Sequence, residues 1–412
     1  MTSKFMSHAT ADGQTIQQGA VRAIAFHLPQ FHPVPENDQW WGKGFTEWTN
    51  VARAKPLFPG HYQPHLPADL GFYDLRLPEA RAAQAELAES YGIHGFCYYH
   101  YWFNGHQVLE RPVSEMGRSG EPDFPFCLCW ANENWTRRWD GLNDEVLLEQ
   151  HYTEADDLAH IRALIPYFSD RRYIRIMDRP LFLVYRASKF PQPERTAALW
   201  RRETERAGLK GLFLVRVESH TESGDPRAIG FDFSLEFQPK WAGLWEQRIQ
   251  RRKWWHRRKL RTAEPAFYNN VVYEYEKLVR QAVAEPAPAY PRIPCVCPGW
   301  DNSPRRKEGA NIFVNSTPEN YERWLREIVN RLKTERESEV AGQRFISPGS
   351  LVFINAWNEW AEGNHLEPCQ KWGRGYLEAT RRGLSGTSRA DLATGEHAGE
   401  LGMEREVGSV RP

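Results

Sequence analysis

The chain predicts an α/β fold, a (β/α)8 barrel of the TIM type with enlarged βα loops. Eight apolar runs rich in β-branched and aromatic residues recur, mostly alternating with helical patterns. Polar residues gather at the C-terminal ends of those runs, where barrels of this kind carry their chemistry. No glycine-rich strand-to-helix turn is present to cradle a nucleotide phosphate, which argues against a doubly wound sheet.

In chain order, the first strand is read at residues 21–28, followed by a long loop and a helix at 78–91. Strands at 95–102 and 126–130 come next, then a helix at 154–168. The run 181–185 precedes a helix at 193–207, and the runs 212–217 and 231–237 have less helix between them. The run 293–297 leads through a loop to a helix at 318–333. The last strand, 351–356, is followed by a helix at 375–384. Such alternation implies parallel strands joined by crossover helices.

The strand ends are rich in polar side chains. His27, Gln30 and His32 follow the first strand, and Tyr98, Tyr99, His100 and Tyr101 end the second. Asn132, Glu133 and Asn134 follow the third, Arg216 and Glu218 end the fifth, and Glu236 and Gln238 mark the sixth. Trp300, Asp301 and Asn302 follow the seventh, and Asn358, Glu359 and Glu362 the eighth. Any one of these is open to a capping or surface role. Seven strands with the same bias point to a site at the barrel mouth.

Composition bounds the function. The 412 residues are 41% hydrophobic, enough for one large domain or two ordinary ones. Lys plus Arg equals Asp plus Glu at 53 each, a balance that argues against wholesale nucleic-acid binding. Residues 1–20 hold no apolar core of signal-peptide length and no run is long enough to span a bilayer, so a cytoplasmic protein is expected. Six cysteines fit that compartment, and the pairs Cys127/Cys129 and Cys295/Cys297 are read as core packing. No HxH or HExxH spacing supports a metal, so neither a metal nor a cofactor is expected. No GxSxG elbow supports a serine hydrolase. Seventeen tryptophans exceed ordinary core needs, and indole faces stack well on sugar rings. Trp41, Trp130 and Trp360 are therefore counted among the sugar-contacting candidates.

Two segments lie outside this plan. RIQRRKWWHRRKLR, residues 248–261, is either a solvated helix face or a contact for anionic lipid headgroups or a lipid-linked diphosphate. That contact would hold the protein peripherally at the inner membrane. The tail, 385–412, lacks aromatics and apolar period and is expected to be disordered, like the flexible segment 1–20.

Glu359 and Glu362, in NEWAEG, are the candidate catalytic pair. Cleaving a glycosidic bond needs one protonated carboxyl to help the leaving oxygen and one ionised carboxylate as base or nucleophile. Two nearby carboxyls resist ionising together, which separates their protonation states. The plain alternative is a capping or ion-paired couple.

With these residues in view, the sequence resembles the WbsX family of bacterial polysaccharide-cluster proteins, which carry a domain similar to glycoside hydrolase family 99. The matching stretches are FHLPQFHPVPENDQWWGKGFTEWTNV, GFCYYHYWF, CWANENWTRRWDG, GWDNSPR and NAWNEWAEGNHLEP. The resemblance implies a catalytic barrel over residues 21–384 and an oligo- or polysaccharide substrate from O-antigen, capsule or lipopolysaccharide. Family 99 enzymes cleave α-mannosides with retention. By analogy, Glu359 would be the base that engages a sugar 2-hydroxyl to form a 1,2-anhydro intermediate, and Glu362 the general acid. Hydrolysis or transglycosylation is the leading expectation, with glycosyl transfer from an activated donor and non-catalytic glycan binding as alternatives.

Overall fold

The computed structural model describes residues 21–137, 142–219, 222–244, 248–249, 269–337 and 351–386. The expectations for residues 1–20, for most of the basic segment 248–261 and for the tail beyond residue 386 lie outside the described residues.

Eight parallel strands form the barrel: β1 (Arg22–His27), β2 (Ile93–Phe103), β3 (Phe126–Trp130), β4 (Arg179–Val184), β5 (Phe213–Glu218), β6 (Phe233–Glu236), β7 (Arg292–Ile293 with Cys295–Val296) and β8 (Leu351–Ile354). Each pairs with the next, and β8 pairs with β1. The seventh strand is one run interrupted at Pro294, which has no N–H to give to a ladder. Its first piece pairs with β6 and its second with β8. The Pro294 carbonyl still accepts from the Phe353 N–H at 2.9 Å, so the ring closes across the break.

Helices surround the ring. The expected ones appear at α3 (Pro78–Ser90), α5 (Glu154–Phe168), α6 (Pro193–Arg206), α8 (Pro318–Glu337) and α9 (Gly375–Ser385). Four others among the described residues escaped the pattern: α1 (Pro35–Trp41), α2 (Glu47–Arg53), α4 (Arg111–Ser119) and α7 (Tyr275–Ala284). The first two are short helices inside the long loop after β1, and Pro35 opens α1 at a position where its missing N–H costs nothing. No helix among the described residues is long and apolar enough to cross a membrane.

Alternation along the strands sorts side chains into two layers. Phe26 fills the barrel centre, with ring centroids 5.4 Å from both Tyr99 and Phe353 and 5.6 Å from Phe237. The barrel is thus plugged rather than a pore. Residues of opposite parity face the helices: His100 and Trp102 stack on His160 of α5, and Trp130 packs against His160 and Trp200. Gly95 lets β2 approach the β3 side closely, since a Cβ there would lie 2.6 Å from the Pro125 oxygen. All six cysteines are buried free thiols.

Candidate active site

A cavity of about 780 Å³ opens at the C-terminal mouth of the barrel. That is the size range of small-molecule sites. Tyr99, stacked on the Phe26 plug, and Phe237, edge-on to it, form part of its floor. Among the described residues, five tryptophans stand around it: Trp40 and Trp41 from α1, Trp135 from the hairpin after β3, and Trp241 and Trp300 from the loops after β6 and β7.

The carboxylate pair is set by how β8 ends. Asn358 clamps that end to β1, accepting from the Leu28 N–H at 2.7 Å and donating to the Leu28 carbonyl at 3.0 Å. Glu359 follows at once, and a single 3-10 turn, Trp360–Glu362, brings Glu362 round to the same cavity. Gly363 leaves the turn at φ +56°, where a Cβ would come within 3.0 Å of Asp301. This is a place where glycine's freedom is needed. The Asp301 N–H then donates to the Glu362 carbonyl, joining the β7 and β8 loops.

Both carboxylates grip one guanidinium. Arg305 donates from Nη2 to Glu359 Oε2 at 2.9 Å and pairs through Nη1 with Glu362 Oε1 at 2.7 Å. Its Nε donates to Glu47 Oε1, at the first turn of α2, at 2.7 Å. The three glutamates therefore share one cation in a buried cluster. Arg305 itself is held by a short turn, Ser303–Arg305, that Asp301 anchors by accepting from the Ser303 N–H at 2.9 Å. Asp301 is fixed in turn by His61 at 2.6 Å and Gln63 at 2.7 Å.

Electrostatics follow from the count of charges. Burial pushes the Glu359 carboxyl up to about 8; Arg305 opposes this, while Glu362 and Glu47 add to it. Glu362 is raised too, by burial first and by Glu47, with Arg305 and Arg306 opposing. Arg305 is raised by its three glutamates and stays charged. Arg305, with the charge of Arg306 reaching Glu362, does not offset three largely buried carboxylates, so the pair retains a proton near neutrality and titrates as a unit. Glu362 is the more open of the two, its side chain 17% exposed against 8% for Glu359. Burial, with Glu359 adding, raises the Tyr99 phenol, which stays a neutral hydroxyl.

The expected site residues divide between cavity and surroundings. Gln30, Trp41, Tyr99, Asn132, Glu133, Asn134, Trp300, Glu359 and Glu362 line the cavity. Glu133 there pairs with Arg186 at 2.9 Å. The others lie elsewhere. His27 faces outward to Gln84 of α3, and His100 to His160, because strand parity turns them from the interior. Trp130, 1% exposed, is packed under the helices for the same reason. His32 is buried beside the cavity loops, near Asp74, and burial lowers it to about 4. Glu236 is buried and accepts from Gln238 at 2.9 Å. Asp301 and Asn358 are anchors rather than lining. Trp360, expected as a sugar platform, is 1% exposed, stacked on His365 and donating to Glu367 at 2.6 Å.

Sequence reasoning passed over Arg305, Glu47 and Trp241 as site residues, and left Tyr101, a polar strand end, outside the candidate site. Arg305 ends GWDNSPR and Glu47 sits in FTEW, so both stand inside stretches already singled out. Only the folded loops reveal that they meet. Among the described residues no group of three His, Cys, Asp or Glu side chains is arranged to hold a metal ion.

Comparison with known proteins agrees with this architecture. Two solved structures share the fold: a GH99 endo-alpha-mannosidase from Bacteroides thetaiotaomicron (TM-score 0.51, 15% identity, 90% of this chain and 98% of that one) and a glycoside hydrolase-like protein (TM-score 0.53, 12% identity, 90% and 97%). Two Xanthomonas campestris pv. campestris proteins, both called uncharacterized protein WxcX, are 45% identical over 372 residues, 90% of this chain. The chain spans about half the length of those relatives, 50% of each. The family model described as Glycosyltransferase WbsX matches residues 23–380, and the chain belongs to that family.

Proposed function

We propose that this barrel remodels glycosidic bonds of a bacterial surface polysaccharide, by hydrolysis or transglycosylation, with Glu359 and Glu362 as the working pair. The observation that carries this reading is the two glutamates on one guanidinium at the floor of a tryptophan-walled cavity. A proton shared by coupled carboxyls is what acid–base cleavage of an acetal requires.

In this reading the pair's one proton sits on Glu362, the more open carboxyl, which gives it to the leaving glycosidic oxygen as the bond to C1 breaks. Glu359, deeper in the site and then ionised against Arg305, takes the proton of the sugar 2-hydroxyl while that oxygen closes on C1. Water or an acceptor hydroxyl then adds to C1, returning a proton to Glu362 as the 2-oxygen recovers its own from Glu359. Arg305 holds both carboxylates in place and stabilises whichever is ionised. Tryptophans and Tyr99 offer faces for the ring C–H groups of the sugar.

A second reading, transfer from an activated donor, is favoured by the description of the family itself, Glycosyltransferase WbsX. A third, glycan binding without catalysis, would leave the glutamates dispensable for any turnover. Incubating the protein with isolated O-antigen or capsule, with and without nucleotide sugars, separates them. New reducing ends without a nucleotide sugar support hydrolysis, and chain lengths redistributed at a constant number of reducing ends support transglycosylation. Product formed only with a nucleotide sugar supports transfer.

A further inference from the structure

A second, smaller cavity of about 210 Å³ lies on the far side of Trp300, which walls both. It is bounded by the loop carrying His61, Tyr62 and His65, the segment from Phe313 to Thr317, and the turn at Lys371 and Trp372. Nothing in the chemistry described above uses it.

Its polar groups are fixed by a chain of hydrogen bonds. His365 Nδ1 lies 3.0 Å from the Glu367 carbonyl, which can only accept, so the proton sits on Nδ1 and Nε2 is bare. That bare nitrogen lies 3.0 Å from His65 Nδ1, which must donate. Burial lowers both imidazoles, His65 to about 4, so each is neutral at physiological pH. His65 also hydrogen-bonds the Tyr62 backbone, and with its proton on Nδ1 its Nε2 is an acceptor. Ser316 Oγ is buried without a partner among the described residues.

Opposite stands Lys371, its Nζ 4.4 Å from the Tyr62 ring centre and 4.9 Å from that of Trp372. The cavity thus joins a cation, a fixed neutral acceptor and a hydroxyl with the aromatic rings of Tyr62, Trp300, Phe313 and Trp372. A phosphodiester, which carries no proton at physiological pH, suits Lys371 but has none to give His65 Nε2. A sugar suits both, since one hydroxyl accepts from the ammonium while another donates to the imidazole, and its C–H face lies on an indole.

We infer that this cavity is a secondary sugar subsite, taking one neutral residue of a glycan that reaches past Trp300 from the main cleft. The inference rests on the carbohydrate reading above and extends it to chain length. A glycan confined to the main cleft does not reach Lys371.

The test uses the full chain and oligosaccharides released by mild acid from O-antigen and capsule, graded by length, with dimethyl phosphate, a phosphodiester, as competitor. Calorimetric titration compares wild type with Lys371→Met, Trp372→Ala and His65→Ala. The expected result is at least about tenfold weaker binding of the longer oligomers to each variant, unchanged binding of the shortest, and no competition by the phosphodiester. Lys371→Met changes an exposed side chain and keeps the test meaningful if His65→Ala disturbs folding. Equal binding of every oligomer to wild type and Lys371→Met, or displacement by the phosphodiester, overturns the subsite while leaving the main reading intact. Failure of wild type to bind any oligomer overturns both.

Discussion

Arg305 decides how the two glutamates behave. Replacing Glu359 or Glu362 with Gln should lower turnover by about 10²–10⁴, the usual contribution of acid–base catalysis, with the circular dichroism spectrum unchanged. Glu359 also carries a stability cost. Its folded value of about 8 stands above the ordinary 4.5, so the folded state holds a proton that the unfolded chain releases earlier. Stability from this group is full below about 4.5 and is lost as pH rises through 8. Glu359→Gln should therefore melt above wild type at pH 8 and match it at pH 5 in parallel thermal scans; equal melting at both would refute the raised value. Glu47 acts on the pair through its charge, raising both partners, and through its hold on the Arg305 Nε. Glu47→Gln should move the alkaline limb of the pH–rate profile to lower pH, an effect that a merely structural loss would not produce.

At the level of elements, strand parity separates chemistry from packing. Tyr99 and Tyr101 line the cavity while His100 and Trp102 meet α5, although all four stand in one short stretch. The run of polar and aromatic strand ends was legible in the sequence, but composition alone did not say which side each residue faces. Trp130 and Trp360 were misread as platforms for this reason. Both are core, so Trp360→Ala should cost about 3–5 kcal/mol of stability in a denaturant titration. Trp41→Ala, at the cavity rim, should instead weaken glycan binding by about 1–3 kcal/mol. The opposite ranking would mean that the cavity has been drawn in the wrong place. The short helices α1 and α2 were hidden because seven residues leave too little apolar period to detect. They nonetheless deliver Trp40, Trp41 and Glu47 to the site.

At the scale of the whole molecule, the barrel was readable because eight apolar runs alternate with helices, and the broken β7 still closes the ring. The Arg305 cluster was not, since Glu47, Arg305 and Glu359 meet across sequence separations of 258 and 54 residues. We propose a cytoplasmic protein working at the inner membrane face, on glycan still attached to its lipid carrier, with the basic residues of the 248–261 segment meeting anionic headgroups. Flotation with anionic vesicles should then show association at low salt that fades as salt rises, and none after neutralising Arg251, Arg252, Arg257 and Arg258. The central claim, however, is that the paired glutamates break glycosidic bonds. The most direct measurement follows reducing ends released from isolated O-antigen or capsule by wild type, Glu359→Gln and Glu362→Gln, without nucleotide sugar. Release by wild type and its loss by at least about a hundredfold in both variants is the predicted result; equal release by all three would contradict it.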